Sequence, residues 1–66
     1  MPRQWEPPQR DEGESMARYR KRMNAKRNAY AKMVESEING RRRARLKHRI
    51  YLIGEALNKA EQEDAR

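Results

Sequence analysis

Residues 36–43 are Ser-Glu-Ile-Asn-Gly-Arg-Arg-Arg, and Asn39-Gly40 is the one turn signal in the middle of this 66-residue chain. Helix-forming residues extend from it in both directions without a proline. Gly40 is well placed as the residue just after a helix end, where glycine is favoured. We therefore predict an all-α chain of two helices, at about 13–38 and 41–63.

The first predicted helix has a marked start and a thin apolar face. Asp11 and Glu14 resemble a capping box, and Ser15 is an alternative N-cap. On its C-terminal side apolar residues recur at helical spacing, although Lys26 interrupts this stripe. We expect this stripe, including both of its tyrosines, to face the core: Met16, Tyr19, Met23, Tyr30, Met33, Val34 and Ile38.

The second predicted helix has a more regular seam, whose members are alternately four and three residues apart, as in a coiled-coil contact. We expect this seam to form a dimer interface or a contact between the two helices: Leu46, Ile50, Ile53, Leu57 and Ala60. Gly54 lowers the helix propensity beside it. Its presence predicts a close approach of another helix at that point.

The two apolar stripes decide between a hairpin and one long helix. In an unbroken helix they would lie about 140–150° apart and could not face the same side. We therefore predict a two-helix hairpin, and keep one long helix as the alternative for a partner that contacts two faces. Few large apolar residues and no cysteine are available to stabilise a hairpin. We expect a homodimeric bundle or an obligate partner protein to complete it.

All three prolines lie within residues 1–13, which hold little apolar surface apart from Trp5. This composition predicts a flexible, disordered arm in front of a basic helical domain at 14–66. For Trp5, two interpretations stay open. It packs on the helices, or it stacks on a base of a bound partner.

The formal net charge of +7 is unevenly distributed along the chain. Residues 15–50 hold thirteen basic and two acidic side chains, net +11, whereas residues 1–14 and 51–66 carry −2 each. Too few acidic residues lie among the cations to neutralise them in helical i,i+4 pairs. A basic body between acidic ends is typical of a protein that binds a polyanion.

The densest cationic cluster is at residues 41–49, where six cations occur and the first of them oppose the dipole of the helix that they begin. Arginine grips phosphate through two parallel hydrogen bonds and also reads guanine edges. We therefore predict nucleic-acid contacts from cations of both helices: Arg41, Arg42, Arg43, Arg45, Lys47, Arg49, Arg18, Arg20, Lys21, Arg22, Lys26 and Arg27.

The residues that catalysis needs are scarce. The chain has one histidine, His48, and no cysteine, and neither Ser15 nor Ser36 has a histidine nearby in sequence to act as a base. We predict no enzymatic activity, no metal, no cofactor and no small-molecule substrate. The longest apolar run, 50–53, is too short to cross a bilayer. We expect no membrane partner and an intracellular location, in the cytoplasm or nucleoid, or in the nucleus of a eukaryote.

Two functions fit these patterns. The leading hypothesis is a small nucleic-acid-binding protein that grips the phosphates of DNA or RNA and acts as a regulator or as a ribonucleoprotein component. The alternative is an adaptor or inhibitor whose basic helices dock on an acidic protein surface. Composition does not distinguish DNA from RNA.

Overall fold

A computed structural model describes residues 4–65 and shows an antiparallel helical hairpin. Helix α1 is Met16–Ser36, helix α2 is Gly40–Asp64, and residues 37–39 join them. The predicted all-α hairpin is confirmed, and the single long helix is wrong. Residues 1–3 of the predicted arm and residue 66 of the predicted domain lie outside the described residues.

Helix α1 begins three residues later than predicted. The Ser15 hydroxyl oxygen accepts a hydrogen bond from the backbone N–H of Arg18 at 3.2 Å, so Ser15 is the N-cap. The capping-box residues form a separate turn just before it, in which a Glu14 carboxylate oxygen accepts from the backbone N–H of Asp11 at 3.0 Å. Gly13 lies within this turn at φ +79°, a left-handed conformation that cannot be part of the helix.

The predicted role of Gly40 as the residue after α1 is wrong, because Gly40 is the first residue of α2. Asn39 is the N-cap, and its side-chain oxygen accepts from the backbone N–H groups of Arg41 and Arg42 at 3.0 and 3.3 Å. The chain turns through extended backbone at residues 37 and 39, so it needs no left-handed glycine. Ile38 therefore leaves the helix and is 98% exposed, and Met33 in the last turn of α1 is 51% exposed. The predicted place of these two side chains in the core is wrong.

Among the described residues four side chains form the core, two from each helix: Tyr19 and Met23, and Ile53 and Leu57. Met16, Tyr30 and Ala60 pack against them from the edges. The prediction that the tyrosines belong to the core is confirmed, with Tyr30 at its margin.

The predicted seam of α2 is a helix–helix contact within one chain at Ile53, Leu57 and Ala60. Leu46 and Ile50, nearer the turn, are only half-buried. A dimer through this seam stays a prediction.

Residues 4–10 have no regular secondary structure, yet they lie against both helices. The Trp5 ring meets Tyr30 edge-on, with 5.9 Å between ring centroids. The buried Tyr19 hydroxyl donates to the carbonyl oxygen of Pro8 at 2.8 Å, and Arg10 forms an ion pair with Asp64 at 3.2 Å. For this part of the predicted flexible arm, the structure shows a packed segment, and of the two interpretations of Trp5 it shows packing on the helices.

Gly54 offers a direct stability test, since an added Cβ there would meet no atom within 4 Å. The close helix approach that we predicted at this glycine is therefore wrong. We expect Gly54→Ala to stabilise the protein by about 0.5–1 kcal/mol, because alanine loses less backbone entropy in a helix. Thermal unfolding followed by circular dichroism measures the gain as a higher Tm.

Gly13→Ala is the matched control, since its Cβ also meets nothing within 4 Å. Its positive φ should make the same replacement destabilising. Equal effects of the two substitutions would contradict this explanation.

Candidate nucleic-acid interface

Folding separates the charges of the chain along the length of the hairpin. We call residues 26–51, which surround the turn, the turn half, and residues 4–25 with 52–65 the open half. The turn half has nine basic and two acidic side chains, net +7. The open half has six basic and eight acidic side chains, net −2. Both acidic flanks of the sequence therefore lie beside the first half of α1, away from the turn.

Arg22 was predicted to contact nucleic acid, but its guanidinium group is used within the protein. It donates to both carboxylate oxygens of Glu14 at 2.8 and 3.1 Å, and to the carbonyl oxygen of Gln9 at 2.8 Å. Asp11 lies 3.9 Å away as a further anion. The hydrogen bond with Glu14 raises the pKa of Arg22. In the folded protein Arg22 ties residues 9–14 to α1, and its contact with nucleic acid stays a prediction.

Arg20 is also paired inside the open half, with Glu61 of α2 at 3.0 Å. Arg18 and Lys21 are exposed there, and among residues 4–65 neither has an ion-pair partner. They remain able to contact phosphate, although the surrounding half of the molecule is net acidic. The sequence alone did not show this neutralisation, because the acidic residues come from both ends of the chain.

The turn half presents its cations to solvent. Arg41, Arg43, Arg45 and Lys47 are exposed and form no ion pair with any carboxylate of the described residues. Arg42 lies 3.9 Å from Glu37 with its side chain 73% exposed. These five cations lie in the first turns of α2, and carboxylates of the described residues neutralise little of their charge. This agrees with the few acidic residues that the sequence has among them.

Two further predicted cations of the turn half differ in whether their side chains are hydrogen-bonded within the protein. Lys26 is exposed, and Arg27 donates to the side-chain oxygen of Asn24 at 3.0 Å. Lys32 was missed by sequence reasoning, although it is an exposed cation of the same half. Its place near the end of α1 could have identified it, because in a hairpin the end of α1 lies beside the start of α2.

Arg49 has a well-defined position at the edge of the cationic surface. Its guanidinium carbon lies 5.2 Å from the centroid of the Trp5 ring and 5.6 Å from that of Tyr30. Two cation–π contacts hold the group, and within residues 4–65 its N–H donors form no hydrogen bond, so they can reach a ligand. The arm thus positions a predicted phosphate-binding residue through Trp5.

His48 stacks on Tyr51 at a centroid distance of 6.4 Å. Within the part of the chain that the structure describes, no group of three or more His, Cys, Asp or Glu residues could hold a metal ion. Neither of the two described helices is long and apolar enough to span a bilayer.

The Glu14–Arg22 contact predicts how stability depends on pH. The hydrogen bond from Arg22 lowers the pKa of Glu14 below its ordinary value of 4.5. A carboxylate with a lowered folded-state pKa stabilises the fold above its unfolded pKa, and this contribution is lost as the pH falls through the folded value. We expect Glu14→Gln to lower the Tm at neutral pH and to have no effect in strong acid.

Glu12→Gln is the control for this titration, because Glu12 is exposed and has no ion-pair partner among residues 4–65. Its Tm should follow that of the wild type at each pH. A Glu14→Gln deficit that persists in strong acid would show that the carboxylate charge is not the cause.

Compared with models of known protein families, with curated proteins and with solved structures, the chain matches none.

Proposed function

We propose that this protein binds nucleic acid by gripping phosphates through the turn half. The observation that carries the proposal is the separation of charge in the fold, with nine basic and two acidic side chains around the turn. In such a surface the cations repel one another until a polyanion neutralises them. Nucleic acid is the intracellular polyanion with closely spaced phosphates, and neutralising those phosphates releases their counterions.

The start of α2 would be the main point of contact. Arg41, Arg42 and Arg43 lie where the helix dipole disfavours positive charge, at a cost of some tenths of a kcal/mol each. A phosphate placed beside them would turn this unfavourable placement into a favourable one, because helix N-termini bind anions. Such contacts position a protein on nucleic acid without selecting a sequence. This suits a regulator or a ribonucleoprotein component inside the cell, acting on DNA or RNA.

The test is the salt dependence of binding. We expect affinity for duplex DNA or structured RNA to fall steeply between low and physiological salt, because each neutralised phosphate contributes about −0.9 to the slope of log affinity against log salt on duplex DNA. Fluorescence anisotropy of labelled oligonucleotides at several salt concentrations measures this slope. Affinity that does not change with salt would refute the proposal.

The alternative function, an adaptor that docks on an acidic protein surface, is supported by a different observation. Ile38 is 98% exposed and Met33 is 51% exposed, and both lie in the turn half among the cations. Apolar side chains surrounded by charge are common in protein interfaces. Tight binding to an acidic protein, together with no shift of nucleic acid on a gel, would favour this function.

Self-association also belongs to the proposal. Ile53 and Leu57 are covered by α1 in the single chain, so a second copy would contact the half-buried Ile50 nearer the turn. Sedimentation of the free protein, compared with the protein bound to an oligonucleotide, determines whether the homodimer forms.

A further inference from the structure

A cleft of about 450 Å³ opens between the helices in the turn half. Met33 and Leu46 contribute apolar surface to it, and Arg42, Arg45 and Arg49 line it as well. Ligand sites commonly have volumes of about 300–1,000 Å³ and combine apolar side chains with a few well-placed charged groups. The cleft has both properties.

Among the described residues, one acidic side chain, Glu37, lines the cleft, and it already has partners at the turn. A Glu37 carboxylate oxygen accepts from the backbone N–H of Asn39 at 3.1 Å, and the other lies 3.9 Å from Arg42. Three arginines against this one carboxylate leave the cleft cationic. An anion with an apolar part would match this lining in charge and polarity.

Arg49 gives the cleft a preformed element. Trp5 and Tyr30 hold its guanidinium group at 5.2 and 5.6 Å from their ring centroids. A planar guanidinium is a surface on which a nucleobase stacks, and a group already held in place loses less entropy when a ligand binds.

We propose that the cleft binds one unpaired nucleotide of a nucleic acid. The base lies against Met33, Leu46 and the Arg49 guanidinium, and the adjoining phosphate is held by Arg42 and Arg45. A paired base is stacked inside its duplex and cannot enter, so the ligand class is single-stranded or bulged nucleic acid. This inference rests on the proposed function and narrows its substrate.

The test compares a fully paired RNA stem with the same stem carrying one bulged nucleotide. We expect the protein to prefer the bulged stem about tenfold, because only its unpaired base can stack in the cleft. The bulged stem should change the emission of Trp5, the single tryptophan of the chain, more than the paired stem does, because its unpaired base lies against Arg49, which contacts Trp5.

Two lysine substitutions distinguish the contribution of the cleft to binding from the contribution of the surface charge. Met33→Lys adds a cation and removes apolar surface from the cleft, so it should abolish the preference without weakening binding of the paired stem. Tyr51→Lys adds the same charge at a position that is 61% exposed and does not line the cleft. It should keep the preference.

The outcomes distinguish this inference from the proposed function. Equal affinity for the two stems, or an undiminished preference in Met33→Lys, would overturn the nucleotide site while leaving phosphate binding intact. Failure to bind either stem would refute the proposed function itself. Polyglutamate that binds more tightly than the bulged stem, with the same Trp5 response, would replace the nucleotide by an acidic peptide.

Discussion

Replacing Ile53 with alanine is expected to remove most of the free energy of unfolding of this protein. Ile53 is completely buried and is one of the four core residues in the described part of the chain. Removing the buried part of an isoleucine costs about 2–5 kcal/mol, because a cavity remains where its atoms packed. A single core of this size rarely supplies more than about 3–5 kcal/mol of stability, so the substitution removes most of it. Far-UV circular dichroism against urea measures the loss.

Ile38→Ala is the matched control, since it makes the same chemical change at a position that is 98% exposed. Its urea transition should coincide with that of the wild type within about 0.5 kcal/mol. If Ile53→Ala were equally harmless, the contact between α1 and α2 would not be what stabilises the hairpin.

Changing Arg41, Arg42, Arg43 and Arg45 to glutamine should abolish detectable nucleic-acid binding at physiological salt. These side chains are exposed in the turn half, and removing a cation that neutralises one phosphate lowers the salt slope by about 1. Helicity should stay the same or rise slightly, because the change removes cations from the positive end of a helix dipole. Anisotropy and circular dichroism on the same samples measure both effects.

The control variant removes four cations from the open half, changing Arg18, Arg20, Lys21 and Lys59 to glutamine. Both variants fall from a net charge of +7 to +3, a loss of four in each. The open-half variant should keep most of its affinity, because its cations lie among acidic residues. If the two variants lost binding equally, total charge and not its location would determine affinity.

Several features of the fold could be predicted from the chain because they are local. The helical spacing of Tyr19 and Met23, the Ser15 cap and the interruption near Asn39 are all encoded by neighbouring residues. The exact turn could not be predicted, because Asn39 and Gly40 favour both the end of one helix and the start of the next. In the structure Asn39 caps α2, because this cap satisfies two backbone N–H groups at once.

The candidate site could be predicted less completely than the fold, because it depends on contacts between residues that are far apart in the sequence. Twelve cations could be named from the sequence, but their partners could not, because Arg20 is paired with a residue 41 positions away. Trp5 likewise meets Tyr30 and Arg49 only after the arm has packed on the hairpin.

The sequence by itself determined that this protein is a basic, all-α hairpin, because helix periodicity and capping act over a few residues. Only the tertiary structure decided which cations remain free. The antiparallel helices bring Glu61 beside Arg20, and the turn before α1 brings Glu14 beside Arg22. Arg41, Arg43 and Arg45 are left without ion-pair partners among the described residues. The physical reason is that charge neutralisation depends on distance in space, which the order of residues along the chain does not contain.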